Sequence, residues 1–337
     1  MGKGGGDTSV CMEAILAVTI PFFALVLCGY LAAWRGVLPE MAIPGLNIFV
    51  LFFALPCMLF RFGSSMPFAQ LIDPTLIGIY ALSALMMVFV TVAATWRRHD
   101  DGHGVDLKNA AFGALVAAFP NSGFMGVPLL AALFGDRAAG PVIGTVLIDL
   151  IFTSTLCLAI AQSHLAVGGT APAHPIAGAL RSMRGAMTNP LPWAIALGAV
   201  FAATGLQLPG PVAQIIKMLA DAATPVALFT IGAVLWRAGQ HAHTRTPVIN
   251  YLPVALIKLL IHPLLVWSLG MLARKAGLPV PPFGLAMLVL AAALPSASNV
   301  SLLAERYGAD NGRIARIIMA STTLAFVSFS LLAWAFR

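Results

Sequence analysis

The stretch Ala117–Gly135, AAFPNSGFMGVPLLAALFG, is apolar at both ends and interrupted in its middle by Pro120, Asn121, Ser122, Gly123, Gly126 and Pro128. Proline has no amide hydrogen to donate and clashes with the preceding turn, so a helix entering from Ala117 breaks near Pro120. Asn121 and Ser122 are residue types that start a new helix. In hydrocarbon, broken backbone is tolerated only where protein buries it or where it lines a cavity. The stretch therefore predicts a discontinuous membrane helix whose freed amides face a solute.

The rest of the chain supports a bilayer as its solvent. Its 337 residues are 60% hydrophobic and 9% charged, with a mean hydropathy of +0.93, and no soluble domain of that size needs so much apolar surface. The formal charge of +7 does not point to nucleic acid, because the basic residues sit in short loops and are not interleaved with aromatics. Such placement is a membrane topology signal. The first apolar run, ending at Trp34, is too long for a signal-peptide core and reads as a retained span. Cys11, Cys28, Cys57 and Cys157 lie in apolar segments without metal-ligand spacing and read as small buried hydrophobes. No cofactor or metal is implied. The chain carries no HExxH, GxSxG or Cys/His cluster, and its His103, His164, His174, His241 and His243 lie in loops, so an enzyme is not expected.

Ten spans are predicted, at about 12–34, 41–62, 74–96, 108–134, 139–163, 189–204, 211–236, 249–272, 282–305 and 312–336. The Ala-, Gly- and Pro-rich connection 164–188 divides them into halves 1–163 and 189–337. With both termini outside, the cytoplasmic loops hold 11 basic residues and the opposite side 6, the asymmetry expected of membrane topology. The halves also resemble one another. Pro21 and Gly29 match Pro190 and Gly198, and PCMLF (Pro56–Phe60) matches PVALF (Pro225–Phe229), each 169 positions apart. LVAAFP ending at Pro120 matches LAAALP ending at Pro295, 175 apart. Three matches in one order at nearly one offset indicate an internal repeat. Five spans is an odd number, so the second unit enters the membrane from the opposite side, and the fold class is an all-α inverted repeat with broken helices four and nine.

Breaks at Pro120 and Pro295 open two half-helix ends carrying partial positive charge. Facing one cavity, they suit an anion such as a carboxylate, with Asn121, Ser122, Ser296, Ser298 and Asn299 adding side-chain donors. Plain proline kinks with interhelical hydrogen bonds are the alternative. Ionisable residues inside spans are expensive and face the protein interior or water. Asp149 is a candidate proton or cation site. Asp221, four residues from Lys217, either pairs with it or titrates. Lys258, on one face with His262, either supplies positive charge for an anionic substrate or snorkels to an interface. Glu305 and Arg306 read as interfacial, and Asn47 as an interhelical hydrogen bonder.

PNSGFMGVPLLAALFG (Pro120–Gly135) resembles the crossover segment of the auxin efflux carrier family, in plants and bacteria. GLNIFVLFFALP (Gly45–Pro56), LADAATPVALFTIG (Leu219–Gly232), IKLLIHPLL (Ile257–Leu265) and ALPSASNVSLLAERYG (Ala293–Gly308) are similar to family segments in the expected order. The bacterial members most like this chain in length are known as malonate or malate permeases. The resemblance implies a ten-span fold related to the bile-acid/sodium symporters, crossing at Pro120 and Pro295, with Asn121 contacting the substrate carboxylate. It also implies a homodimer in a bacterial inner membrane. SASN follows Pro295 where plant members have a Gln-Gly pair, which leaves open whether Ser296 or Asn299 takes the second polar role. The expected function is alternating-access transport of small organic anions, with spans one, two, six and seven as scaffold. Sodium- or proton-coupled symport on the same fold, or a receptor without repeat-related breaks, are the alternatives.

Overall fold

The computed structural model describes residues 5–67, 73–96, 105–163, 184, 187–240 and 246–336. Most of the connection 164–188, and the basic residues Lys3, Arg97, Arg98, Arg181, Arg245 and Arg337 of the topology count, lie outside them.

Among the described residues the chain is helical throughout. Seven helices are long and apolar enough to cross a membrane. They are α1 (Gly5–Trp34), α2 (Ala42–Ser65), α3 (Pro74–Thr95), α5 (Asp136–Gln162), α7 (Gly210–Gln240), α8 (Val248–Lys275) and α10 (Asn311–Ala335). Shorter apolar helices fill the remaining predicted spans: α4a (Leu107–Ala118), α4b (Ser122–Phe134), α6 (Pro190–Thr204) and α9a (Pro282–Ala292), followed by α9b (Asn299–Arg306). Their starts follow local chemistry. Asp73 accepts from the amides of Thr75 and Leu76, with Pro74 in the first turn, and Asp106, Asn189 and Asp310 cap α4a, α6 and α10 in the same way. Each cap satisfies amides that a helix start otherwise orphans. Large side chains such as Leu27, Phe52, Phe53, Leu197 and Ile215 stay exposed on the outside, as they do in a multi-pass integral membrane protein whose solvent is lipid.

Two helix pairs approach closely enough to exclude a side chain. α1 packs on α7, where a Cβ on Gly29 would overlap the Phe229 carbonyl and one on Gly232 would overlap the Val26 carbonyl. α6 packs on α2, where Gly198 meets the Phe60 carbonyl and Gly63 meets that of Ile195. Small residues permit this approach where lipid offers no hydrophobic drive between helices. Val26 and Ile195, Gly29 and Gly198, Phe60 and Phe229, and Gly63 and Gly232 are each 169 positions apart. The remaining helices enclose α4a, whose residues Ala110–Ala118 are all buried, between α3 and α5, while α8 lies against α3 and α9a.

Candidate substrate site at the crossing of two broken helices

α4 and α9 are both interrupted, and the interruptions touch. α4a ends at Phe119, with φ −107° and ψ 93°, where the missing amide of Pro120 stops the helical ladder. α9a ends at Ala293 before Pro295. The two irregular stretches then pair antiparallel: the Asn121 amide donates to the Pro295 carbonyl at 2.8 Å and the Ala297 amide to the Phe119 carbonyl at 3.0 Å. The Ser122 amide turns back on Pro120, and the Ser296 amide donates to Ser321 Oγ on α10 at 3.2 Å. The expectation of freed amides is thus corrected at these four positions. The breaks satisfy much of their backbone on each other, as buried polar backbone must.

What remains unsatisfied is on the side chains. Asn121 Oδ1, Ser122 Oγ, Ser296 Oγ and Asn299 Oδ1 are buried atoms without a protein hydrogen-bond partner. Asn121, Asn299 and Asn189 line one cavity of about 30 Å³ together with Leu51, Leu55, Phe119, Phe124, Val146, Leu150 and Leu191. A carboxamide can turn either its oxygen or its NH2 inward, so Asn121 and Asn299 can offer donors to this cavity without any fixed charge; Ser122 and Ser296, whose hydroxyls can rotate to donate or accept, stand at the breaks but do not line it. Ser298 is also buried, and its carbonyl accepts from the Ser301 hydroxyl. Asn189, at the cap of α6, lines the cavity although the sequence carried no prediction for it.

Lys258 is not among the residues lining that cavity. It does not snorkel either, being fully buried with Asp149 and His262. Its Nζ donates to the carbonyl of Ala292 at 2.6 Å, at the end of α9a, and lies 3.3 Å from His262 Nδ1. Asp149 accepts from the Tyr80 hydroxyl at 2.9 Å and from Thr153 Oγ1 at 3.1 Å, within electrostatic reach of Lys258. The Tyr80 and His262 rings are 5.8 Å apart. Asp149 and Lys258 both sit on wide π turns, Asp149–Thr153 and Ile257–Ile261, which bulge a helix locally and recur at functional sites. Tyr80 and Thr153 carried no sequence signal, being ordinary members of apolar spans.

Asp221 sits elsewhere, half-exposed, paired at 2.8 Å both with Lys217 and with Arg61 of α2. Arg61 and Asp221, but not Lys217, line a cavity of about 440 Å³ together with Met58, Ser65, Pro128, Ala131, Asp136 and Thr224. A second cavity of about 270 Å³ lies against Val234, Arg237, Ser301, Glu305 and Asn311, and Glu305 is exposed there. Ser65 and Val234 are 169 positions apart, and Asp136 and Asn311 are 175 apart.

A family model described as "Membrane transport protein" matches residues 13–333. A Rhizobium meliloti protein named "Putative malonate transporter" is 28% identical over 329 residues, covering 97% of both chains. An "Uncharacterized transporter" of Methanothermobacter thermautotrophicus is 29% identical over 323 residues, covering 95% of this chain and 96% of that one. "Auxin efflux carrier component 2" of Arabidopsis thaliana is 27% identical over 151 residues, 44% of this chain and 22% of the plant protein.

Proposed function

The chain belongs to this membrane transport protein family, that of the auxin efflux carriers, and on that premise we propose that it carries small organic anions by alternating access, with a carboxylate held where α4 and α9 cross. It is a transporter and not an enzyme. The observation that carries the substrate class is the set of four buried, unpartnered side-chain groups of Asn121, Ser122, Ser296 and Asn299 around one crossing. Leaving such a group without a partner costs about 1–3 kcal/mol, so a ligand that satisfies several at once gains correspondingly. A carboxylate accepts from a serine hydroxyl and from a carboxamide whose NH2 is turned inward, and a relative matched over 97% of its length bears the name of a malonate transporter.

The matched glycine contacts support an inverted repeat of 1–163 and 189–337. The α1–α7 contact at Gly29 and Gly232 has its counterpart in the α6–α2 contact at Gly198 and Gly63. These four helices form a scaffold in this reading, and α3–α5 with α8–α10 form the moving unit. The cavity at the crossing is about 30 Å³, roughly the volume of one water, whereas the larger cavities lie beyond it along α4b and α9b. A shift of α4 and α9 against α2 and α7 joins the site to one larger cavity or the other. Both termini lie outside the cell in this arrangement.

Asn121→Ala abolishes malonate uptake in proteoliposomes and leaves the purified protein folded. Uptake at the wild-type rate by that variant overturns the assignment.

Coupling to protons through Asp149 is favoured over Asp221, because Asp149 is fully buried and Asp221 half-exposed in an ion cluster. The groups facing Asp149 are Tyr80, Thr153, Cys157 and, across the cell, Lys258 with His262. Asp149→Asn flattens the dependence of uptake on pH, and an unchanged profile removes this carboxylate from the mechanism.

A further inference from the structure

Three carboxamides line the cavity at the crossing, and they stand on different parts of the molecule. Asn121 and Asn299 belong to α4 and α9, whereas Asn189 caps α6. Among the lining residues on or capping the four helices read as scaffold, Leu51, Leu55 and Leu191 are apolar and Asn189 alone is polar. Its orientation is fixed by chemistry. The Leu191 amide donates to Asn189 Oδ1 at 3.0 Å, and only the oxygen of a carboxamide accepts, so the NH2 is the other branch. Among the described residues that NH2 has no protein partner. On the same cavity Asn121, 2% exposed, leaves its Oδ1 unpartnered.

α6 begins here for a local reason. Pro190 and Pro192 stand in its first turn, where a helix has no use for their missing amides, and Asn189 satisfies the Leu191 amide between them. With 15 residues the helix is about 22 Å long at the helical rise. That is short of a hydrocarbon layer of about 30 Å, so one end falls inside the membrane, and the cavity identifies it as the Asn189 end. The matched place in the first half differs. Pro21, 169 positions before Pro190, lies within α1, which continues from Gly5 to Trp34. Ile20, the counterpart of Asn189 at the same offset, is 49% exposed. The polar group is present in one half of the repeat and absent from the other.

We infer that Asn189 is a third donor to the transported carboxylate, supplied from the static side of the crossing. The inference rests on the organic-anion reading above. Asn121 and Asn299 travel with the anion, and Asn189 stays behind. When α4 and α9 shift against α2 and α7 that contact is lost, and with Ile20 at the matched position no equivalent donor replaces it. The carboxylate is therefore held more tightly in this state than in the opposite one, and Asn189 sets the difference between the two faces of the membrane.

A helix cap with no part in binding is the competing role, and substitutions that keep the cap separate the two. Aspartate and serine cap a helix start as asparagine does, so Asn189→Asp and Asn189→Ser keep the wild-type melting temperature, whereas Asn189→Ala lowers it. Initial rates of malonate transport are measured from each face in proteoliposomes of uniform orientation. For a substrate donor, Asn189→Ser raises KM about fivefold, the worth of one hydrogen bond, from one face and leaves it unchanged from the other. Asn189→Asp, which sets a carboxylate against the anion, raises the same KM by about tenfold or more. For a cap alone, both variants keep the wild-type KM from both faces, which overturns the inference. An equal rise from both faces overturns a contact confined to one state. Loss of uptake in Asn121→Ala with wild-type KM in Asn189→Asp removes the third donor and leaves the carrier reading standing. A wild type that carries no malonate removes both.

Discussion

Two buried polar cells lie close to α9 and are built on opposite terms. The one at the crossing, beside Asn121, Ser122, Ser296 and Asn299, holds no formal charge, and Asn121 Oδ1, Ser122 Oγ, Ser296 Oγ and Asn299 Oδ1 lack protein partners. The other, behind it, holds Asp149, Lys258, His262 and Tyr80; Asp149 and Lys258 have partners within the protein. Unsatisfied neutral donors gain most from an arriving anion and release it without separating a fixed ion pair. Charges already bonded internally offer a ligand little, but a change in one protonation state is felt by the rest in so dry a place. In the transport reading we propose, the difference gives recognition to the first cell and coupling to the second.

The largest expected effect comes from erasing the difference. Asn121→Asp adds a carboxylate where the anion sits, and uptake falls to the background of empty liposomes at pH 7; measurable uptake would mean that the carboxylate is held elsewhere. Next is Lys258→Met, which removes the cation from the second cell and leaves the Ala292 carbonyl and Asp149 without it. Removing one buried charged partner costs on the order of 3 kcal/mol. Thermal unfolding of the detergent-solubilised protein reports the loss, and adding Asp149→Asn recovers part of it. Independent, additive losses would separate Lys258 from Asp149.

The breaks and the polar residues beside them were legible because proline acts locally: Pro120 and Pro295 stop helices whatever surrounds them, whereas the crossing of the two was implied by the family resemblance. Gly29 and Phe229 each had a repeat counterpart, Gly198 and Phe60, but nothing in the sequence paired them with each other as the structure does. Partners remote in the chain were not legible. Asp221 suggested Lys217 at i+4 spacing but gave no hint of Arg61, 160 residues away. Lys258 read as either a substrate cation or a snorkelling residue because helical periodicity tells which residues share a face, not which neighbour that face meets. The capture of the Asn121 and Ala297 amides by the opposite break was hidden for the same reason.

The smallest effects separate the cells most cleanly, because stability and binding respond with different signs. Ser296 Oγ is buried without a protein partner, so Ser296→Ala removes a group whose burial is unfavourable and leaves the melting temperature unchanged or slightly raised. The same change deletes one donor to the bound carboxylate, and KM for malonate rises about fivefold, the equivalent of roughly 1 kcal/mol for one hydrogen bond. Thr153 stands in the opposite situation, with its hydroxyl donating to Asp149 at 3.1 Å. Thr153→Ala lowers the melting temperature by leaving a buried carboxylate with one donor fewer, and it leaves KM at the wild-type value. Melting curves and uptake kinetics on the two variants check both signs. If Thr153→Ala raises KM and Ser296→Ala does not, recognition belongs to the charged cell and the assignment of the two is reversed.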